Sequence, residues 1–300
     1  MRKGESWHEG MLHHYRGLAA FASGNVAEAR NCAERALEAF AVSGDLWGIV
    51  NASETLGHSL AAVGEYETAM QVYERALAAG VRDLQAEAVP LLYHYGLSRL
   101  RAGDWEAAAR LFEECARLSE DASPFLRWHS VMGAAHIARE RGEREETARL
   151  YGEALALVRQ AVREGLDNRA VRVAMVVTLR ELGHLSERTG NGDNARSYQE
   201  ESLAWARRIG EPRLLARTLE GLAGALSLGG EASEAARLLG AAEATRDAVH
   251  AGLPEGERDE LIRVTTRLRD QLGETRFEAE RTRGRSERFS QLQERAIPTA

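Results

Sequence analysis

Lysine is almost missing from this 300-residue chain: Lys3 is the only one, and the other 38 of its 39 basic residues are arginine. No internal lysine can therefore serve a P-loop or form a Schiff base with pyridoxal phosphate. Cysteine is nearly as scarce. Cys32 and Cys115 lie far apart in the sequence and are too few for a zinc site of ordinary spacing. Both sit among alanines in helical patterns and read as small buried hydrophobes of a reducing cytoplasm. The chain has no apolar run of membrane-spanning length, and Met1 to Gly10 carry charges in place of the apolar stretch of a secretory signal. A net charge of −7 with a pI near 5.8 gives no general attraction for nucleic acid. Also missing are G-x-S-x-G, H-E-x-x-H and any Cys/His pair with ligand spacing. His13 and His14 are adjacent, so on a helix they point about 100° apart and chelate poorly. Nothing here indicates a catalytic residue, a cofactor or a metal.

What the chain has in abundance is alanine and leucine, 50 and 36 residues. They recur in a pattern. Six segments share a small residue, a glycine-led turn seven residues later, and an alanine or threonine five residues beyond that. The six anchors are Gly17, Gly57, Gly96, Ala135, Gly183 and Ala223, spaced 40, 39, 39, 48 and 40 residues apart. The turn glycines are Gly24, Gly64, Gly103, Gly142, Gly190 and Gly230. The pattern describes helical hairpins. A small residue lets two helices cross closely, and glycine takes the left-handed conformation that ends a helix. Asn25 and Asp104 can cap the second helix of their pairs, while Glu65, Glu143 and Glu231 place negative charge at its positive end. Pro90, Pro124 and Pro212 fall near the starts of first helices, where proline is tolerated. The first helices are expected near 8–23, 47–63, 84–102, 124–141, 167–189 and 211–229. The 48-residue step predicts lengthened helices or a longer loop around Val158 to Ala170. No segment shows the alternation of a strand.

The pattern resembles the tetratricopeptide repeat over roughly residues 7 to 248, in the longer form found in bacterial regulators related to the maltose-operon activator. The resemblance implies an all-α, right-handed superhelical solenoid of about six hairpins (1–248), closed by a C-terminal cap (249–300). In the tail, Leu261, Val264, Leu268 and Leu272 share one helix face. With Ala235–Glu243, the stretch Leu272–Phe277 and Gly284-Arg285, this resembles the C-terminal end of actinobacterial LuxR-type and antibiotic-regulator proteins that carry a STAND ATPase. Arg281 stands where those proteins usually have tryptophan. Arg276, Arg281, Arg283, Arg285 and Arg288 are interleaved with Glu278, Glu280 and Glu287, which reads as a salt-bridged helix face. The ATPase and a DNA-binding module have no counterpart here. The chain looks like the repeat region alone, whether as a fragment, a truncated paralogue or a free-standing protein.

In the tetratricopeptide family the first helices line a concave groove. The resemblance places in that groove the residue after each anchor, together with those four and seven before it and three after it. The candidate residues are Glu54, His58, Tyr93, His129, Met132, His136, Arg139, Arg180, His184, Glu187, Arg217 and Glu220. His58, His136 and His184 recur at one register, and Arg139, Arg180 and Arg217 could clamp a carboxylate or phosphate. The expected role is a cytoplasmic sensing or regulatory module that binds a protein, a peptide or a polar small molecule, and it extends to transcription control or secondary metabolism. The alternatives are a free-standing enzyme or accessory protein of a biosynthetic pathway using a His/Arg/Glu site, and histidines that merely hydrogen-bond neighbouring helices. A homodimer through the convex face or the tail is a further possibility.

Overall fold

The computed structural model describes residues 3–249, 252–253 and 255–286. These residues are helical, with no strand among them, in two compact units, 1–161 and 162–300. None of the described helices is long and apolar enough to cross a membrane.

The first unit contains four helix pairs: α1 (Lys3–Ala22) with α2 (Val26–Ser43), α3 (Leu46–Ala62) with α4 (Tyr66–Ala78), α5 (Val89–Arg101) with α6 (Trp105–Ser119), and α7 (Pro124–Glu140) with α8 (Arg144–Arg163), whose last residues pass the boundary. First helices pack on one another in succession, α1 on α3, α3 on α5 and α5 on α7. All six turn glycines have φ between 75° and 85°, the left-handed conformation that ends each first helix. Asn25 and Asp104 cap the helices that follow, accepting the backbone N–H of Glu28 and Ala107 at 3.1 Å. Glu65 makes no cap bond and is held instead by Arg30 of the preceding pair at 3.1 Å.

The anchors explain themselves in the packing. A Cβ on Gly57 would overlap the Tyr73 side chain, one on Gly96 would overlap Phe112, and one on Gly183 would overlap Gln199. Each of those side chains lies sixteen residues after its anchor and is buried. Tyr151, sixteen after Ala135, completes the series. Phe112 and Gln199 also press on Gly133 and Gly221 of the following first helix, so one side chain welds two pairs. Burying a side chain of this size contributes roughly 1.5–3 kcal/mol. Gln199 is the polar exception: its amide donates to the Arg180 carbonyl at 3.2 Å.

The third pair departs from the pattern. Val81–Ala88 forms a 3-10 segment broken at Gln85, where φ is +55°, and α5 begins only at Val89, with Pro90 in its first turn. Near the 48-residue step the helices are lengthened: α8 and α9 (Arg169–Arg188) have 20 residues each.

The second unit contains α9 with α10 (Gly192–Ile209), α11 (Pro212–Leu228) with α12 (Ala232–Ala248), then α13 (Glu255–Leu272) and α14 (Glu274–Ser286). α14 packs closely on α12. A Cβ on Gly240 would strike the Arg281 carbonyl, and one on Gly284 the Arg237 carbonyl, so only glycine allows this approach. Phe277 is buried beside them. Arg281 lies next to the crossing and grips Glu243 with two hydrogen bonds of 2.9 Å. Arg276, Arg283 and Arg285 are likewise engaged, by Ser233, Glu280 and Asp247, while Arg288 lies outside the described residues.

Candidate functional site

In the first unit the groove positions divide into a buried and a partly exposed set. Met132 is fully buried, and His129 nearly so, with its Nδ1 3.1 Å from the Phe125 carbonyl. Burial pushes the His129 imidazole down to about 4, against a smaller opposing effect of its backbone hydrogen bonds. His136 is buried between two tyrosines, with Nδ1 3.2 Å from the Tyr151 hydroxyl and Nε2 3.4 Å from the Tyr93 hydroxyl. Tyr93 packs against Phe112, Trp128 and His129, so it belongs to the interior. Arg139 pairs with its neighbour Glu140 at 3.1 Å.

The partly exposed set lies on α1, α3 and α5. His58 faces His94 edge-on with ring centroids 4.1 Å apart, and the Phe21 ring lies 6.1 Å from that of His58. Burial, followed by the charges of His58, His129 and Arg101, holds His94 well below the usual histidine range. His94 was not singled out by the repeat register, which points to Tyr93 and Leu97. One residue is about 100° on a helix, and that turn sends Tyr93 inward and His94 toward His58. Glu54 lies one turn before His58 on the same face of α3. Its Oε1 is buried without a hydrogen-bond partner among the described residues, and burial raises the carboxyl to about 8. Further along this face are the large exposed side chains Leu18 and Trp47, with Trp47 packed edge-on to His14.

In the second unit the same positions are covered. α13 lies over the first helices α9 and α11. Val264 packs on Gly224, and Arg263 and Arg267 both bond the buried Glu187 carboxylate, Arg267 at 2.6 Å. Arg267 also donates to the Ser227 hydroxyl at 2.9 Å, and Gln271 to the Ser227 carbonyl at 2.9 Å. His184 Nδ1 lies 2.9 Å from Glu260. Burial alone would raise the Glu187 carboxyl, but its two arginines outweigh this and bring it below the usual range. The candidate positions of α9 and α11 thus form the seat of a helix. Their partners could have been found in the sequence: Glu260, Arg263 and Arg267 make a polar stripe at spacings of three and four beside the apolar face of α13.

The arginines expected to clamp an anion have other engagements. Arg180 is buried against Glu181 at 2.8 Å, and Arg217 lies where its charge reaches Glu211. Glu220 is held by Arg246 through two bonds of 2.8 Å. Donor atoms of His184, Glu187 and Glu260 lie within 4.8 Å of one another, a span that a divalent cation can bridge. Two guanidiniums already neutralise Glu187, however, and an ion placed there would face both, so the donor set fits an ion-pair network better than a metal centre. Burial raises the Cys115 thiol to about 12, so it stays protonated and unreactive.

Tetratricopeptide repeats are detected in part of the chain. Models of that repeat match residues 54–87 and 174–248. Among solved structures, the chain is similar to BtubC (BKLC) from P. vanneervenii, with 19% identity and a TM-score of 0.50 over 81% of this chain and 94% of that one. That likeness concerns the fold. The TPR domain of P58(IPK) also matches, at 15% identity over 96% of this chain and 99% of that one, but its TM-score of 0.21 is too low to support any conclusion. No curated protein sequence matches the chain.

Proposed function

We propose that the chain is a partner-binding module and that the face of α1, α3 and α5 receives a helical or extended segment of another protein. The observation that carries this reading is the seat of α13. In the second unit an amphipathic helix lies across two first helices, with apolar residues against a glycine and arginines on an acidic side chain. The corresponding face of the first unit offers exposed Leu18 and Trp47, the His58–His94 pair and Glu54; among the described residues the 3-10 segment Val81–Ala88 packs on α3 and α5, and no additional α-helix of that unit does so in the way α13 packs in the second. An apolar and aromatic surface with a few polar groups suits a peptide partner. A cytoplasmic setting and a link to transcription control or secondary metabolism are parts of this proposal, supported by the composition and by the C-terminal resemblance. The catalytic alternative has less support, because His136 is engaged at both ring nitrogens and His184 is paired with Glu260.

Selection of helical peptides from a displayed library on the full chain tests the reading. Peptides that bind the native chain should lose at least tenfold in affinity to the His58→Ala/His94→Ala double variant and keep their affinity for Gln71→Ala, on the exposed side of α4. The opposite ranking would assign binding to the second helices and overturn the proposal.

A further inference from the structure

We infer that Glu54 is a receptor for a guanidinium group, an arginine side chain of the segment that lies on α1, α3 and α5. The inference rests on the partner-binding reading above and gives that partner a chemistry.

Three observations support it. First, Glu54 makes no hydrogen bond or ion pair with any described residue, and its Oε1 is shut off from solvent. A buried carboxyl without a partner is destabilising, and a bound partner would remove that cost. Arg101, whose charge reaches Tyr73 and His94, lies over the Tyr66 ring instead.

Second, the repeat contains its own control. Glu54 stands three residues before the anchor Gly57, and Glu220 stands three before the anchor Ala223. Glu220 is held in a two-bond grip by Arg246, which lies 23 residues after its anchor. Twenty-three residues after Gly57 comes Gly80, which has no side chain. The second repeat therefore keeps the acceptor and lacks the internal arginine.

Third, the surroundings suit a guanidinium. His58 stands one turn from Glu54 on α3, its ring packs with those of His94 and Phe21, and planar cations pack well on such surfaces. In the second unit, Glu187 already takes Arg263 and Arg267 from a helix seated on the same kind of face. Arginine is preferred over lysine because two parallel N–H donors match a carboxylate, as they do at Glu220.

The test is an NMR titration of the full chain, with the imidazole nitrogens of His58 and His94 as reporters. The probe is N-acetylarginine amide, and N-acetylcitrulline amide is its neutral counterpart. The arginine probe should give saturable shifts at least tenfold more tightly than the citrulline probe, and Glu54→Gln should abolish that preference while keeping the helical circular dichroism. Arg246→Ala supplies a second variant: exposing Glu220 should create a second guanidinium site, detected as an added binding step by calorimetry. Equal response to the two probes, or an unchanged preference in Glu54→Gln, would overturn the inference. The probes are not peptides, so the two proposals fail separately. A chain that binds selected peptides but does not distinguish the probes loses only the Glu54 assignment. A chain that prefers the arginine probe but binds no peptide keeps the acceptor and loses the partner face.

Discussion

Single residues set how this chain responds to pH. Burial raises Glu54 to about 8 from an ordinary value of 4.5, so the unfolded chain ionises it first. Its effect on stability is nil below pH 4.5 and grows unfavourably up to about pH 8, at about 1.4 kcal/mol per pH unit. His129 acts at the other end. Its imidazole falls from 6.5 to about 4, so the unfolded chain takes up the proton first and stability is lost as pH falls through that window. Glu54→Gln should raise stability at pH 8 by a few kcal/mol and remove the alkaline decline, while leaving the acid limb in place. Urea unfolding at pH 5, 7 and 8.5 measures this, and parallel pH dependence in the two proteins would refute the burial of an unpaired acid at Glu54. The sequence made Glu54 and His58 visible because register alone puts them on one helix face. His94 was hidden because the register selects Tyr93 and Leu97, and the 100° between neighbouring helix residues separates Tyr93 in the interior from His94 beside His58.

At the scale of elements, the two C-terminal helices are held by different physics. α13 is held largely by charge on its polar side, through Arg263 and Arg267 on Glu187, and by Val264 and Leu268 on its apolar side. Replacing Glu187 with alanine leaves two arginines facing a vacated acidic site. Hydrogen exchange across 258–272 should then accelerate at least tenfold, while 274–286 stays protected. α14 is held by shape. Gly284→Leu would drive a side chain into the Arg237 backbone, so it should release α14 and lower stability by about 1–3 kcal/mol or more. Gly152→Ala, in open space on α8, should instead stabilise by about 0.5–1 kcal/mol. Thermal melts of the two variants check the contrast, and equal effects would contradict it. The pairing of helices was legible because close crossings demand small residues at fixed intervals. The apolar face of α13 was legible too, but its seat on α9 and α11 was not. That seat depends on pairs such as Glu187 with Arg263, 76 residues apart, which no local period records.

At the scale of the whole molecule, the repeats form two units that differ in what occupies the face of their first helices. In residues 162–300 that face is taken by the chain's own α13. In residues 1–161 it presents Leu18, Trp47, Glu54, His58 and His94. The partner-binding reading stands on this contrast. Repeat number, turn positions and the absence of strands could all be read from spacing, because they follow from local geometry. Which face is filled could not, because that is settled by segments distant in sequence. The most direct test is hydrogen exchange of the full chain with and without a saturating selected peptide. The prediction is added protection on α3 and α5, with the exchange of α13 unchanged. Protection confined to α4 and α6, or release of α13 with no change on α3, would contradict it.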